Sequence, residues 1–421
     1  MVYFQISLPG LARDFNDLTD QERDFIAYFS SIDLECITPV VNRYAGIGPK
    51  GYGTALVLAR IIKLKERILS DRQLAEALRK NDLYRFITRN TQPCHNTFNT
   101  LRRRLGPQGF IEIHKRFVKK AHSLGLLEPE IKGLPKNRKK GIILVADSTF
   151  LISAGSTRGE KDKQGQWHFK DPTVAFSGKG HHKHKYSVGH KAHSLRTVNG
   201  VPLVTLISPA NESDQGYVIP LIEEFTARYS YLQGSYIILD KGYDAEGIHH
   251  DLYEFFAIIP VIIRKKMVYP KGFTSDGRPL CPFGVPMKRR GIEYQQKRTK
   301  YACFKTCQKD RQLLMFQCKF IKERYKYGYT CRTYFIDSYR KYGPALPNSL
   351  IYKKLKPLRT GIERTFGLVK ENRYRMEMSN SYKGIDRVTI HAIEHDIALT
   401  QDILFDYIKT GKLSPVLNLN Y

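Results

Sequence analysis

Two aspartates in this chain directly follow short runs of apolar, mostly β-branched residues. Residues 142–146 end at Asp147, and residues 236–239 end at Asp240. Runs of this kind predict buried strands, and open α/β sheets carry their chemistry at the carboxyl ends of such strands. Taken alone, Asp240 could equally cap the turn or helix that follows it. The choice between the two interpretations depends on whether other acidic residues of the chain could lie beside Asp240.

The two carboxylates would become neighbours if their strands paired side by side and parallel. Such a pair repels unless one acid is protonated or a cation lies between them. Oxygen ligands favour Mg²⁺ or Mn²⁺, and a third carboxylate would complete a two-metal site suited to attack on a phosphodiester. Glu363 is the candidate, because it shares a face of a predicted helix with Arg359 and Lys370. A surface ion pair would show the same spacing.

The elements that must position these acids follow from apolar periodicity and turn signals. Helices are predicted through the first 130 residues, and Asn199-Gly200 predicts a hairpin. From residue 142 the predicted order is three strands, a helix, a strand, a helix and a strand, at residues 142–146, 186–196, 201–207, 214–229, 236–239, 245–256 and 258–263. A last amphipathic helix is predicted over residues 384–408, with Glu394 and Asp396 as solvated or capping groups. Asp244 is predicted to cap a helix.

The predicted domains follow the changes in composition along the chain. They are a helical DNA-binding domain (1–130), a Pro- and Gly-containing basic linker (131–141), the first part of an α/β core (142–266), a Cys-rich basic insertion (267–345), and the C-terminal helices of the core (346–421).

The charge balance favours a polyanionic partner. Sixty-nine Lys and Arg residues against 40 Asp and Glu give a formal net charge of +29. No apolar run of about 18 residues predicts a membrane span, and no signal peptide is recognised. We therefore expect a cytoplasmic, nucleoid-associated protein that binds nucleic acid and has no membrane partner.

The N-terminal helices around residues 70–105 are similar in arrangement to a helix-turn-helix. In that interpretation Arg102, Arg103 and Arg104 contact phosphates, and nearby amide and hydroxyl side chains reach base edges. A helical packing domain with a solvated basic face would have the same sequence pattern.

Two further clusters contain side chains that could bind metal. Five histidines lie among lysines at residues 178–193, which favours a basic strand and loop near DNA, with Lys191 and His193 facing the active site. Five cysteines lie at residues 281–331. They could bind Zn²⁺, but the spacing is not a standard ligand pattern, so reduced thiols are favoured.

The three acids together resemble the DDE triad of insertion-sequence transposases, which have an RNase H-like core. Asp240, Gly242 and Tyr243 match the family's D-x-G-Y signature, and Arg359, Glu363 and Lys370 match the R-x3-E-x6-K part of its third-acid signature. Lys356 stands where the family's signature has Tyr. The resemblance runs from about residue 50 to 400.

The resemblance implies a fold, an activity and a set of partners. The fold would be α/β, an RNase H-like mixed sheet with an all-helical N-terminal domain and an insertion before the last catalytic helix. Asp147, Asp240 and Glu363 would bind Mg²⁺, for which Mn²⁺ could substitute, and would cut DNA and transfer the strand. Arg359 and Lys370 would hold phosphates. The partners would be double-stranded terminal inverted repeats and target DNA, bound by a homo-oligomer.

Two other functions fit the same residues. One is a catalytically silent DNA-binding protein derived from a transposase, against which the intact triad argues. The other is a nuclease of the same fold with no strand-transfer step.

Overall fold

The fold was analysed in a computed structural model of the 421-residue chain. The structure describes residues 17–44, 53–128, 141–155, 158–165, 167–177, 187–304, 318, 327–347, 349–359, 363, 367, 374, 376 and 382–412. The linker predicted at residues 131–141 lies outside these ranges except for Gly141. Contacts divide the chain into two compact units. Unit one comprises Met1–Pro129, Ser148–Ser213 and Gly361–Tyr421, and unit two comprises Glu130–Asp147 and Asp214–Thr360.

Unit one combines the N-terminal helices, an antiparallel set of strands and the last long helix. Its helices are α1 (Asp20–Ser30), α2 (Leu34–Arg43), α3 (Thr54–Lys65), α4 (Asp71–Lys80), α5 (Asp82–Ile87) and α6 (His95–Ser123), the last interrupted by a kink at Gly106-Pro107. Strand β1 (Ile142–Ile152) enters this unit at Ser148, and β2 (Gly159–Lys161), β3 (Trp167–Phe169), β4 (Ala175–Ser177), β5 (Ser187–Thr197) and β6 (Pro202–Pro209) follow. The predicted all-helical N-terminal region is confirmed.

Unit two holds the parallel part of the sheet and the insertion. Its core elements are the first half of β1, α7 (Val218–Arg228), β7 (Gly234–Leu239), α8 (Glu246–Glu254) and β8 (Ile259–Ile262). The insertion contributes an antiparallel sheet of β9 (Lys288–Glu293), β10 (Arg298–Ala302) and β11 (Thr330–Tyr334), followed by α9 (Tyr339–Tyr342) and α10 (Leu350–Leu355).

Strand directions are those of the predicted mixed sheet. Within unit two, β1 pairs parallel with β7, and β7 pairs parallel with β8. Within unit one, β5 forms an antiparallel hairpin with β6 around Asn199-Gly200. The Gly200 N–H donates to the Thr197 carbonyl, and Gly200 has a φ of 88°, the left-handed conformation that follows the turn in a three-residue hairpin loop. The RNase H-like fold class is confirmed, and the predicted elements occur in the predicted order, with the short strands β2, β3 and β4 as unpredicted additions after β1.

The last helix, α11 (Ile385–Thr410), forms the centre of unit one. It packs against α6, β6 and α3, and nearly all of its middle turns are buried. Such a helix must bury its polar residues as well as its apolar ones, so those polar residues need partners. In the described part of the chain, no helix combines the length and apolar character that a membrane crossing demands.

The prediction that Glu394 and Asp396 are solvated or capping groups is wrong. Both are 3% exposed. The Arg60 guanidinium donates to both carboxylate oxygens of Glu394, at 2.7 and 2.5 Å. The Thr205 hydroxyl donates to Asp396 at 2.6 Å. Periodicity assigned these acids to a solvent face that α11 does not have, because neighbouring elements cover it on most sides.

Arg60 lies at the centre of a buried charge network inside unit one. Besides Glu394, it donates to Asp71 at 2.5 Å and to the Tyr382 hydroxyl at 2.9 Å. Asp71 also accepts from Lys63 at 2.8 Å. These cations hold the pKa of the Asp71 carboxyl well below its usual range, although burial opposes the shift. The network ties α3 and α4 to α11.

Removing one member of the buried Arg60–Glu394 pair should destabilise the protein strongly. Glu394→Ala leaves a buried guanidinium short of its main counter-charge, which typically costs about 3–5 kcal/mol. Urea unfolding followed by far-UV circular dichroism measures the loss. Asp386→Ala, an exposed site on the same helix, is the matched control, with an expected change within about 0.5 kcal/mol. Equal effects of the two variants would contradict the network's role.

Candidate active site at the ends of β1 and β7

The two aspartates singled out in the sequence lie on adjacent strands of unit two. In the parallel pair of β1 and β7, Val145 is opposite Ile238. The same register, continued two residues further, places Asp147, in the middle of β1, opposite Asp240, the residue directly after β7. Neighbouring strands are about 4.8 Å apart, so the two carboxylates are first neighbours. Both residues are half-buried, next to strand residues that are fully buried.

Burial of the strand residues explains why this arrangement forms. Residues 142–146 of β1 and all of β7 are buried, as expected for parallel strands covered on both faces. A Cβ at Gly234 in β7 would lie 2.8 Å from the end of the Leu144 side chain, so the two strands approach closely there. Register is strongly specified where strand faces are buried, and the register of this pair, continued two residues further, sets the two aspartates opposite each other.

Arg359 lies beside the second aspartate. Its guanidinium is 3.8 Å from Oδ1 of Asp240. Arg359 is 9% exposed, whereas the Asp240 side chain is 47% exposed. The fixed guanidinium supplies positive charge at the carboxylate pair, while the exposed face of Asp240 stays open to a ligand.

Glu363 and Lys370 complete the sequence signature. Glu363 is helical and exposed, and it belongs to unit one. Lys370 lies outside the described residues. The structure therefore brings together Asp147, Asp240 and Arg359, and the joint action of all five residues stays a prediction.

The carboxylate pair fits a hard divalent cation. Its donors are oxygens only, and a cation between them would relieve the repulsion of two adjacent negative charges. Within the described ranges, no group of three or more His, Cys, Asp and Glu side chains is gathered closely enough to hold a metal ion. The pair thus provides two carboxylate ligands, and a metal bound there would need further oxygen donors.

The turn after Asp240 is held by a buried aspartate. The prediction that Asp244 only caps a helix is wrong. It is 3% exposed and accepts hydrogen bonds from Arg340 at 2.7 Å, from the Lys265 backbone N–H at 2.8 Å, and from His249 at 3.1 Å. Arg264 lies 3.5 Å from the same carboxylate. Charged residues directly after β8 were the only sequence signal for this network.

The Asp244 network fixes the geometry of the segment that carries the active-site acid. Asp244 ends the short 3₁₀ turn Lys241–Tyr243, which starts directly after Asp240. The Gln215 side-chain amide donates to the Gly242 carbonyl in the same turn. Because Arg340 comes from α9, the network also ties the insertion to this turn.

Burial and charge make this network sensitive to acid. Hydrogen bonds from His249 and Arg340 hold the pKa of Asp244 well below its usual range, against the effect of burial. Burial, with the nearby positive charge of Arg264, lowers the pKa of His249 from 6.5 to about 4, although Asp244 opposes that shift. His249 is therefore neutral in the folded protein at pH 7.

Folding stability should fall as the pH drops from about 6.5 to about 4. In that window the unfolded chain protonates His249 and the folded protein does not, which costs up to about 1.4 kcal/mol per pH unit. His249→Gln should show a shallower fall in urea-unfolding experiments at pH 7, 6 and 5. His250→Gln, at a half-exposed neighbouring site, is the control and should keep the wild-type slope. Identical slopes for wild type and His249→Gln would contradict the assignment.

The predicted basic residues of the sheet have partners inside unit one. The Lys191 ammonium donates to the Glu212 carbonyl at 2.7 Å. His193 is 1% exposed, and its Nε2 lies 2.9 Å from the Ser208 hydroxyl. Burial of His193 gives it a packing role in the hairpin of β5 and β6. The histidines at positions 181, 182 and 184 lie outside the described residues.

The three consecutive arginines of α6 differ in placement. Arg102 is 4% exposed and donates to Asp71 and Asn99, at 2.6 and 2.5 Å. This side chain therefore joins the buried network of unit one, which removes it from the predicted phosphate contacts. Arg103 and Arg104 are exposed, and their contact with DNA stays a prediction.

Cysteines of the insertion contribute to an apolar cluster. Cys281, Met287, Tyr301 and Cys303 are buried together, with Cys331 packed against them. Burial raises the pKa of the Cys331 thiol to about 11, which favours the thiol over the thiolate that metal binding requires. Cys307 lies outside the described residues.

Comparison with known proteins assigns more than half of the chain to one family. The family described as "Transposase DDE domain" matches residues 138–400. A solved structure, the cryo-EM structure of piggyBac transposase synaptic complex with hairpin DNA, is similar at 10% identity over 96% of this chain and 78% of that chain. Its TM-score of 0.31 is too low to support further comparison. No curated protein matches the sequence.

Proposed function

The chain belongs to the DDE transposase family, and from this premise we propose that it is an insertion-sequence transposase acting at terminal inverted repeats with Mg²⁺. Enzymes of this family cut DNA and transfer the cut strand. The proposal adds the type of element, the metal and the DNA ends to that activity. Its main support is the register that sets Asp147 opposite Asp240.

Asp147, Asp240 and Glu363 would hold the divalent metal. When bound, the metal would supply positive charge to a phosphodiester and favour deprotonation of the attacking hydroxyl. Support comes from the buried strand residues beside Asp147 and Asp240, because rigid elements would keep the two carboxylates pre-positioned and limit reorganisation during the reaction. The Asp240 side chain is 47% exposed, so its carboxylate would be accessible to the metal.

Cations around the carboxylates would position the DNA strand. Arg359, with its guanidinium 3.8 Å from Asp240, would orient that carboxylate and contribute charge next to a scissile phosphate. Lys370 is proposed to contact the DNA backbone from the predicted helix face that it shares with Glu363.

Recognition of the DNA ends would use exposed cations elsewhere in the chain. The net charge of +29 favours binding to DNA, and the exposed Arg103 and Arg104 are proposed phosphate contacts. Transposition handles two DNA ends at once, so we also propose that the chain acts as a homo-oligomer on DNA.

Replacing Asp147 by Asn should abolish cleavage without abolishing DNA binding. Losing a metal ligand should remove several kcal/mol of transition-state stabilisation by the metal, which corresponds to a reduction in the cleavage rate of about 100-fold or more. The measurement is nicking of a linear fragment carrying the element's ends in Mg²⁺ or Mn²⁺, with binding followed by gel shift.

Asp251→Asn, a half-exposed acid on α8, is the matched control and should cleave normally. An equal loss of binding and cleavage in Asp147→Asn would contradict the metal role. Specific binding by wild type with no cleavage would favour a catalytically silent DNA-binding protein, and cleavage without joined products would favour a nuclease.

A further inference from the structure

The hairpin of β2 and β3 exposes the chain's single tryptophan. Trp167 is 46% exposed, although large aromatic residues usually bury most of their surface. In the antiparallel pair of β2 and β3, Trp167 is opposite Lys161, and Phe169 is opposite Gly159. Trp167 and Phe169 are two residues apart on one strand and therefore share a face.

The other aromatic rings of this face anchor the hairpin. Phe176 of β4 meets both Trp167 and Phe169 edge to face, with ring centroids 5.0 and 5.1 Å apart. Phe169 also lies across Gly159, where a Cβ would come within 2.8 Å of the Phe169 ring. An isolated two-stranded hairpin is marginal in water, so these contacts explain Phe169 and Phe176. They do not explain why about half of Trp167 stays exposed.

The Trp167 ring lies nearly parallel to that of Phe169. The two planes differ by 13°, with centroids 6.4 Å apart. Trp167 keeps 46% of its surface exposed beside this parallel pair, which leaves aromatic area available to a partner. A flat partner can add to such a stack at little conformational cost, because both rings are already held in place.

One cation lies against the exposed ring. The Lys161 ammonium is placed over the Trp167 ring, 5.1 Å from its centroid. Residues 158–170 contain four Lys and Arg against two acids. One of these acids, Asp162, is bonded to His168 at 2.7 Å. A flat partner that carries negative charge fits this surface better than an apolar protein segment does.

We propose that Trp167 and Lys161 form a stacking surface for an unpaired base of a DNA strand. The base would lie against the indole, and the ammonium would contact the adjacent phosphate. Bases inside a duplex are covered by their neighbours, so the surface favours single-stranded over double-stranded DNA. This inference rests on the proposal that the chain acts on DNA. It concerns residues of unit one, whereas Asp147 and Asp240 belong to unit two.

The lone tryptophan makes the site directly observable in the full-length protein. A single-stranded thymidine oligonucleotide, titrated without divalent metal, should quench and saturate the tryptophan fluorescence. A fully paired duplex of equal length should leave the fluorescence nearly unchanged at the same concentrations. Trp167→Ala should weaken binding of a fluorescein-labelled oligonucleotide by about 5- to 150-fold in anisotropy measurements, and Trp167→Phe should restore most of it.

Phe255→Ala, at an aromatic residue that is 71% exposed in unit two, is the matched control and should bind like wild type. Equal quenching by single strand and duplex would overturn the proposal in favour of backbone contact alone. Absence of quenching by a bound single strand would overturn it as well. If cleavage at the element's ends persists in either case, the proposed function stands and only the stacking site is refuted.

Discussion

The structure depends most on the parallel pairing of β1 and β7. These strands are buried over the lengths that pair, and their register, continued two residues further, puts Asp147 opposite Asp240. Buried strands with this much apolar contact can hold carboxylates at a separation that the charges alone would oppose. In the proposed function, a divalent cation between the two carboxylates would relieve their repulsion and act on the phosphodiester.

Each unit contains a buried charge network that holds its own elements together. In unit two, Asp244 joins the active-site turn to α8, β8 and the insertion through three hydrogen bonds. In unit one, Arg60 joins the N-terminal helices to α11. Breaking such a network costs more than its net contribution to stability, since a charge is then left unpaired. Both networks therefore favour one arrangement of their elements over alternatives.

Much of this fold could be predicted from local pattern. The apolar runs before Asp147 and Asp240 and the Asn199-Gly200 turn each predicted the element that the structure contains. These features depend on side-chain period and turn chemistry, which are local properties of the sequence. The parallel pairing of the first and fourth predicted strands was a condition of the carboxylate-pair hypothesis, and the structure contains that pairing.

The errors concern charged residues with long-range partners. Glu394, Asp244 and Arg102 were assigned to surfaces or caps, whereas each is buried and paired with residues distant in the sequence. Periodicity records which residues are polar, but it does not record what will pack over them. A buried ion pair becomes visible only when both partners are placed in three dimensions.

The central claim is that Asp147 and Asp240 share a divalent metal. Anomalous diffraction from Mn²⁺ in crystals of the protein bound to its DNA ends tests it most directly. The account predicts a peak about 2.0–2.3 Å from a carboxylate oxygen of each aspartate. A fully occupied Mn²⁺ position that contacts neither residue, in crystals where the DNA is cut, would contradict it.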